Sequence, residues 1–597
     1  MKRMALWQIA IRRLEMPVSR FLLLYVGGAA LAGLLTAMVL VLLTPSLFSG
    51  IIGITLIIIL PVVSAIAAAY FPLLEVQRAA IQIEKEMHMF ITRMGILSLG
   101  EIGAQSIFDI LRQMTDYGEL ASEVKRIEIL VDKWHTSLPE AARIVGQQSP
   151  SPLWSDFLDR MAFSIEAGQR IDEFMRAEQE TIAEQYTTLY DTRLEKVDSL
   201  KEIYVALVSA GLFGLVIAGI HLVLFETGVP GSDIVIILTR MRWLLLASLL
   251  FTILQIGAFF AFRATIPDEM TFARDEMITP YRKLFTQSWI LAGSISAILL
   301  VVTSILSFIY IDTLVSQWDR YGLILIAVPF TPMLIPAFLE RREEVQVGRR
   351  DESYPGFIRA LGGTAQARSA EPSATIRALR GIDFGLLDTP IERLEKRLST
   401  RIDSERAWDY FSSETNSDMI TRYNRIYIEG AQSSGLPADT ADLVSKSTTN
   451  NLSLRRRRSL SAGTMWGTAL GLLVATVASL NVTISIVLQL GGTISGVASG
   501  FTNIDVGSIA DSGAGFGLPA LENNAVIDEN IRAFKITISI LILVKVSILG
   551  AIATRLRGGG RTSAVGQMVQ MVWIAGITSL ITAIIMDASM GMFTLET

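Results

Sequence analysis

Nine apolar segments constrain this chain more than any other feature of its sequence. A helix needs roughly 20 apolar residues to cross the core of a bilayer, and segments of about that length recur along the chain. They are Phe21–Leu43, Gly50–Tyr70, Ile203–Phe225, Trp243–Phe262, Trp289–Tyr310, Tyr321–Leu339, Gly463–Leu490, Phe534–Ala553 and Met568–Ile585. Because the mean hydropathy is also high, at +0.46, the sequence predicts an all-α polytopic membrane protein with about nine transmembrane helices.

The distribution of lysine and arginine indicates how these helices are oriented. Both residues are more frequent in the short loops on the N-terminal side of the membrane than in the opposite loops. Since positively charged short loops stay in the cytoplasm, we predict a multi-pass protein of the cell membrane with a cytoplasmic N-terminus and an outside C-terminus. Residues 1–18 are predicted to form an amphipathic helix on the cytoplasmic membrane surface.

Two long polar stretches lie between apolar segments, and both fall on the cytoplasmic side in this orientation. Apolar residues recur in them at helical spacing, as in Ile391, Leu394 and Leu398, so each stretch is predicted to be a helical bundle. The predicted domains are 1–71 (amphipathic helix and two spans), 72–202 (cytoplasmic domain 1), 203–339 (four spans), 340–461 (cytoplasmic domain 2) and 462–597 (three spans with a Gly/Ser-rich outer loop at 491–530).

The two polar stretches align with each other at a constant offset in residue number. Three separate blocks keep this offset: Phe90 falls on Phe357, Tyr117-Gly118 on Phe384-Gly385, and Glu166-Ala167-Gly168 on Ser433-Ser434-Gly435. A spacing kept across three blocks indicates a duplicated unit. Because four spans separate the copies, the repeat is parallel and not inverted.

The two copies differ in charge. Glu75–Glu202 holds 14 Lys and Arg against 23 Asp and Glu, a balance of −9, whereas Glu340–Leu460 holds 20 against 18, a balance of +2. The second copy is rich in arginine, so we expect the two copies to bind different surfaces.

Enzymatic chemistry is not predicted. The chain has no cysteine and only three histidines, His88, His135 and His221, none of them at the spacing of metal ligands. No phosphate-binding loop, dinucleotide fingerprint or nucleophile motif is present in the sequence. We therefore expect no catalytic residues, no cofactor, no metal and no nucleic-acid partner.

Arginine clusters of domain 2 are the candidate binding residues. For one set, docking of an acidic cytoplasmic protein and a plain solvated face are both open: Arg377, Arg380, Arg393, Lys396, Arg397 and Arg401. A second set flanks the spans, and anchoring on anionic lipid is expected for it: Arg341, Arg342, Arg349, Arg350, Arg455, Arg456, Arg457 and Arg458.

Two features within the spans also stand out. Small residues recur every four positions in one span, which favours close helix packing, either within the chain or between subunits: Ser459, Gly463, Gly467, Gly471, Ala475 and Ser479. Lys545 is a charge placed well inside a span, which makes it a functional candidate. Its partner is not evident from the sequence, and Asp587 on the next span lies near the opposite leaflet.

The sequence resembles a known family at several of these places. The run Arg349-Arg350-Asp351-Glu352-Ser353-Tyr354-Pro355-Gly356-Phe357-Ile358-Arg359-Ala360-Leu361-Gly362 is similar to the archaellum membrane platform proteins (FlaJ type). Ala407-Trp408-Asp409-Tyr410-Phe411 and Asn451-Leu452-Ser453-Leu454-Arg455 carry the same resemblance. These proteins fall within the platform superfamily of type II secretion system protein F and type IV pili.

The resemblance implies a non-enzymatic platform at the base of a filament. Its cytoplasmic domains would dock a hexameric secretion ATPase and pass ATP-driven motion to the assembly of pilin-like subunits and to filament rotation. A homodimer is also implied. Two alternatives stay open: the platform of an archaeal type IV pilus or secretion system, and a transporter or channel, which would place polar residues together at the membrane midplane.

Overall fold

The computed structural model describes residues 6–13, 17–43, 51–99, 117–224, 241–266, 269, 271–273, 279–368, 372–501 and 524–594. Within these residues the regular structure is helical. The first ten helices are α1 Leu6–Arg13, α2 Val18–Phe21, α3 Gly27–Leu43, α4 Ile51–Ser98, α5 Glu119–Trp134, α6 Leu138–Gln148, α7 Pro152–Glu166, α8 Ile171–Leu224, α9 Arg242–Thr265 and α10 Pro280–Ile309. The others are α11 Ile311–Ser316, α12 Trp318–Phe330, α13 Leu334–Arg368, α14 Pro372–Ala378, α15 Asp388–Ser399, α16 Ser404–Thr415, α17 Asp418–Ser434, α18 Pro437–Phe501, α19 Asn524–Arg557 and α20 Arg561–Thr594.

Nine stretches of helix in the described part of the chain are long and apolar enough to cross a membrane. The prediction of an all-α polytopic membrane protein is therefore confirmed. Several helices far exceed the length that a bilayer requires, since α8 has 54 residues and α18 has 65. At 1.5 Å per residue these helices are roughly 80 and 100 Å long, so each contains both a membrane span and a polar segment.

The constant offset between the two polar stretches reappears in their helices. Repeat 1 consists of the polar part of α4, then α5, α6, α7 and the start of α8. Repeat 2 consists of the polar part of α13, then α14, α15, α16, α17 and the start of α18, and its α15, α16 and α17 correspond to α5, α6 and α7. Both copies use glycine in the left-handed region at the same two turns, with φ of 51° and 62° at Gly118 and Gly385 and of 73° and 66° at Gly168 and Gly435. Only glycine takes this backbone conformation without strain.

The start of one helix is also built in the same way in both repeats. The hydroxyl of Ser151 accepts a hydrogen bond from the backbone N–H of Trp154 at the start of α7. The hydroxyl of Ser417 accepts one from Ile420 at the start of α17. Such side-chain caps satisfy a backbone donor that has no partner inside the helix.

The chain divides into two compact units. One comprises Met1–Thr192, Phe272–Met277 and Gln346–Arg455, and so includes both repeats. Large side chains of both repeats, among them Phe90, Trp154, Phe357 and Phe411, belong to a single buried apolar cluster of this unit. The two polar stretches, predicted as a bundle each, therefore share one hydrophobic core.

The second unit comprises Arg193–Thr271, Ile278–Val345 and Arg456–Thr597. Its buried apolar cluster joins the later spans through residues such as Val208, Leu244, Leu473 and Leu549. The predicted outer loop at 491–530 begins and ends as helix, because α18 continues to Phe501 and α19 begins at Asn524. The residues between these two helices lie outside the described part of the chain.

Candidate functional site

The two repeats are joined by ion pairs between α4 and α17. Arg93 of α4 pairs with Glu429 of α17, and Glu86 of α4 pairs with Arg422 of α17. Seven residues separate the partners on each helix, which places both pairs on one face, two turns apart. The polarity is reversed between the two pairs, so the contact fixes which turn of α4 faces which turn of α17.

Arg93 is almost completely buried, with 4% of its side chain exposed. One guanidinium nitrogen donates to the Tyr117 hydroxyl at 3.3 Å, and the guanidinium carbon lies 5.8 Å from the centre of that ring. Burial raises the pKa of Tyr117 above its usual value, although the charge of Arg93 opposes the shift. The phenol therefore stays neutral and accepts the hydrogen bond.

Burial and nearby carboxylates shift the pKa of Arg422 in opposite directions. Burial alone lowers the pKa of Arg422, but the charge of Glu86 and its hydrogen bond outweigh that effect and raise it. Burial raises the pKa of Asp418, which stands in the first turn of α17, against the opposing charges of Arg422 and Arg455. Arg422 thus remains a permanent cation for Glu86.

Gly430 allows α4 and α17 to come close together. A Cβ atom added at Gly430 would overlap with the side chain of Ile96 on α4 and would lie 2.9 Å from the Thr440 methyl group. The two helices can therefore come this close only because residue 430 is a glycine.

A cavity of 430 Å³ lies beside this contact, between α4, α8 and α18. Several of its residues are equivalent in the two repeats, since the offset that relates the repeats also relates Gln179 to Lys446 and Glu180 to Ser447. Its wall combines cations with carboxylates: Arg176, Lys446, Glu180, Asp439 and Asp442. No group of residues suited to hold a metal ion occurs among those described.

The predicted docking residues of repeat 2 lie on α14, on α15 and in the turns that follow these helices. Arg377 and Arg380 both contact the buried carboxylate of Glu395, at 3.1 and 2.8 Å. Arg393 and Arg397 both contact Glu414, Arg393 at 3.6 Å. Four of the six cations are therefore partly neutralised by two carboxylates that sequence spacing did not reveal.

Lys396 and Arg401 complete this set, and both side chains are exposed. Arg401 has a φ of 59° in the turn that ends α15, where its N–H bonds to the carbonyl of Leu398. Arg377, Arg380 and Arg393 keep more than half of their side-chain surface exposed despite their carboxylate partners. We call the six residues the basic surface: Arg377, Arg380, Arg393, Lys396, Arg397 and Arg401.

The arginines predicted to anchor the membrane surface have several different environments. Arg341 pairs with Glu344 at 3.1 Å, and Arg350 donates to the carbonyl of Thr415 at 3.0 Å. Arg455 pairs at 2.7 Å with Asp351, a carboxylate that is 1% exposed. The others that face solvent are Arg342, Arg349, Arg456 and Arg457.

Arg458 departs from the prediction of a surface anchor, because it is only 3% exposed. Its guanidinium donates at 2.7 Å to the backbone carbonyls of both Arg555 and Leu556 at the end of α19, and it contacts Glu269 at 3.2 Å. A cation at the carbonyl end of a helix also interacts favourably with the helix dipole. Arg458 therefore ties three segments of the second unit together.

The stripe of small residues on α18 is open in the part of the chain that the structure describes. Ser459 and Ala475 are exposed. Cβ atoms added at Gly463, Gly467 and Gly471 would meet no other atom within 4 Å. Packing of these glycines within the chain, one of the two expectations, is not what the described residues show, and a seam between subunits stays a prediction.

Lys545 is fully buried, with an exposed fraction of 0%. Its ammonium donates to the carbonyl of Leu472 at 3.2 Å and to the Thr476 hydroxyl, both on α18. Asp587, considered as a partner from the sequence, instead pairs with Arg320. Lys545 thus joins α18 to α19 through two neutral acceptors.

Comparison with known proteins shows which proteins this chain is similar to. Residues 90–219, which comprise most of repeat 1 and part of the span that follows, match the family described as type II secretion system (T2SS), protein F. No solved structure matches the chain.

Two curated relatives are similar to this chain over most of its length. The chain is 28% identical over 584 residues to flagella accessory protein J of Methanocaldococcus jannaschii, covering 95% of this chain and 96% of that protein. It is 27% identical over 449 residues to the protein of the same name from Methanococcus voltae, covering 72% and 76%. The resemblance to the archaellum platform proteins is confirmed by these matches, the first of which extends over nearly the whole chain.

Proposed function

We propose that this chain is the membrane platform of an archaellum, a scaffold that docks a hexameric secretion ATPase and passes its motion to the filament. Similarity to two flagella accessory proteins, in one case over nearly the whole length, supports this assignment. The observation that carries it is the single core of the two repeats. Two repeats that share one core are suited to receive force from a motor, because two separately folded domains would move against each other.

We propose that the force passes along the helices of the repeats into the membrane. The basic surface of repeat 2 receives the motor, and the ion pairs between α4 and α17 carry the load to repeat 1. From the repeats, α8 and α18 continue without interruption into membrane spans. Pilin-like subunits are drawn from the bilayer beside these spans, with the repeats and the N-terminus in the cytoplasm and the C-terminus outside.

Docking is tested by binding of the purified ATPase hexamer to the full chain in lipid nanodiscs. The full chain is needed because repeat 2 shares its core with repeat 1. Reversal of three exposed charges on α15 and in the turn after it, by Arg393→Glu, Lys396→Glu and Arg401→Glu, should weaken binding at least about tenfold and flatten its dependence on salt. Arg397 is left in place since it holds Glu414.

The matched control reverses two exposed lysines on the equivalent helix of repeat 1. Lys125→Glu with Lys133→Glu changes α5 by the same kind of charge, and we expect ATPase binding within about twofold of the unchanged protein. Equal binding by the triple variant and the unchanged chain would exclude the basic surface as the docking site.

We further propose that two copies pair through the stripe of small residues on α18. Gly467→Leu should shift the protein from dimer to monomer in detergent, because a bulky side chain separates helices that small residues allow to approach. Gly257→Leu on α9 is the control, since Gly257 is also surrounded by open space. Mass measurement over a concentration series decides, and a Gly467→Leu variant that dimerises at the same concentration as the unchanged chain would exclude the stripe.

A further inference from the structure

The contact between the two repeats has a direction. On the α4 side it presents Ile96 as a projecting side chain, and on the α17 side it presents Gly430 as the recess that receives it. The residues at the equivalent positions of the other repeat are Gly363 on α13 and Phe163 on α7. In the equivalent set, the large side chain is therefore on α7, which corresponds to α17, and the glycine is on α13, which corresponds to α4.

Both residues of the exchanged set lie on open surface. Phe163 is 70% exposed, whereas Ile96, its counterpart as the projecting side chain, is 0% exposed. A Cβ atom added at Gly363, or at Gly356 two turns earlier on the same face of α13, would meet nothing within 4 Å. Within the described residues, the α7 surface and the α13 surface are thus both uncovered.

The two surfaces also differ in charge, because α7 is acidic and α13 carries both signs. The face of α7 around Phe163 carries Asp156, Asp159 and Glu166, all exposed, of which Glu166 pairs with Arg143 at 2.8 Å. The face of α13 around Gly356 and Gly363 carries exposed Arg349, Glu352 and Arg359, and Arg359 lies 3.7 Å from the exposed carboxylate of Asp442. If the two surfaces meet, Asp156 and Asp159 of α7 lie opposite a surface that carries Arg349 and Arg359, where Glu352 and Asp442 offset part of the positive charge.

We propose that α7 of one copy of this chain packs on α13 of a second copy, with Phe163 inserted over Gly363. When two similar repeats contact each other head to tail, each repeat keeps one contact surface that its neighbour does not cover. A second copy of the chain can bind both of these surfaces. Two copies related by a twofold axis make this contact twice, so four repeats form a closed ring. The contact extends the pairing of copies proposed above and is independent of the stripe on α18.

Cross-linking tests the contact directly, because the chain has no cysteine of its own. Phe163→Cys and Gly363→Cys are placed in separate copies with different tags, which are co-expressed and treated with a short bis-maleimide. We expect a cross-linked dimer that carries both tags. The control replaces Phe163→Cys by Trp134→Cys, a residue of repeat 1 that is equally accessible at 74% exposure, and should give at most background.

A reversal of side chains supplies a second test. Phe163→Gly and Gly363→Ile should each weaken self-association about tenfold, since one removes the central aromatic side chain and the other fills the recess. The double variant recreates the Ile96–Gly430 pair at the contact between copies and should restore association to within about threefold of the original chain. Unfolding midpoints are measured in parallel, so a loss of fold is distinguished from a loss of association.

The outcomes separate this contact from the other proposals. A dimer that gives no cross-link between positions 163 and 363 would refute the contact and leave pairing through α18 intact. Equal cross-linking by the Trp134→Cys control would refute it as well. If Phe163→Gly weakens ATPase binding and leaves self-association unchanged, the α7 surface faces the motor and the proposal is wrong.

Discussion

Replacing Arg458 by alanine is expected to lower the free energy of unfolding by about 3–5 kcal/mol, the range for loss of one partner from a buried charged network. The side chain is 4% exposed and holds the last carbonyls of α19 together with Glu269. Arg458→Ala would remove one charged donor from two carbonyl groups and from a carboxylate. Chemical unfolding in detergent, monitored by circular dichroism, measures the change.

The neighbouring Arg457 offers a matched control. Arg457→Ala removes the same side chain from an exposed position, and we expect a change within about 0.5 kcal/mol. Arg458→Lys should recover only part of the loss, because one ammonium cannot reproduce the planar fork that reaches two carbonyls at once. Equal stability of the two alanine variants would mean that Arg458 lies at the surface, as the sequence had predicted.

Removal of Arg93 should cost about 3 kcal/mol, because the buried cation and its carboxylate partner join the two repeats. Arg93→Ala would also take a hydrogen-bond donor from Tyr117. Glu429→Ala should also cost about 3 kcal/mol, because it leaves the buried Arg93 cation without its carboxylate partner. The coupling energy from the double variant is expected to exceed about 0.5 kcal/mol.

The control for this cycle is an ion pair on open surface. Arg170 pairs with Asp172 while 77% of its side chain is exposed, and Arg170→Ala should leave the free energy of unfolding essentially unchanged. Additive effects of Arg93→Ala and Glu429→Ala would indicate that the pair does not hold the repeats together.

Much of the architecture could be predicted from the sequence because the signals are long or repeated. Nine runs of about 20 apolar residues admit few structures other than spans. The turns at Gly118 and Gly385 require the same left-handed backbone, so the glycines kept the offset between the repeats visible while most other positions diverged.

The partners of the charged residues could not be predicted in this way. Helical spacing places Arg377 and Arg380 on a surface, but it does not show that Glu395, on another helix, lies under both of them. The same limit applies to Lys545, whose acceptors are a backbone carbonyl and a hydroxyl of α18. Neither group carries a charge that a search for complementary residues would find.

The shared core of the repeats was also hidden in the sequence. Each polar stretch has enough apolar residues for a bundle of its own, and only the structure places Ile96 of repeat 1 against Gly430 of repeat 2. The sequence motifs that resemble the platform family lie mainly in repeat 2, whereas the family match covers residues 90–219 in repeat 1.

We propose that both repeats form one body on the cytoplasmic side of the membrane. Single cysteines introduced as Trp134→Cys in repeat 1, Arg401→Cys in repeat 2 and Gln317→Cys between α11 and α12 can be labelled with an impermeant maleimide in sealed vesicles of known orientation. We expect positions 134 and 401 to react only from the cytoplasmic side and position 317 to react only from the outside. Labelling of either repeat from the outside would contradict it.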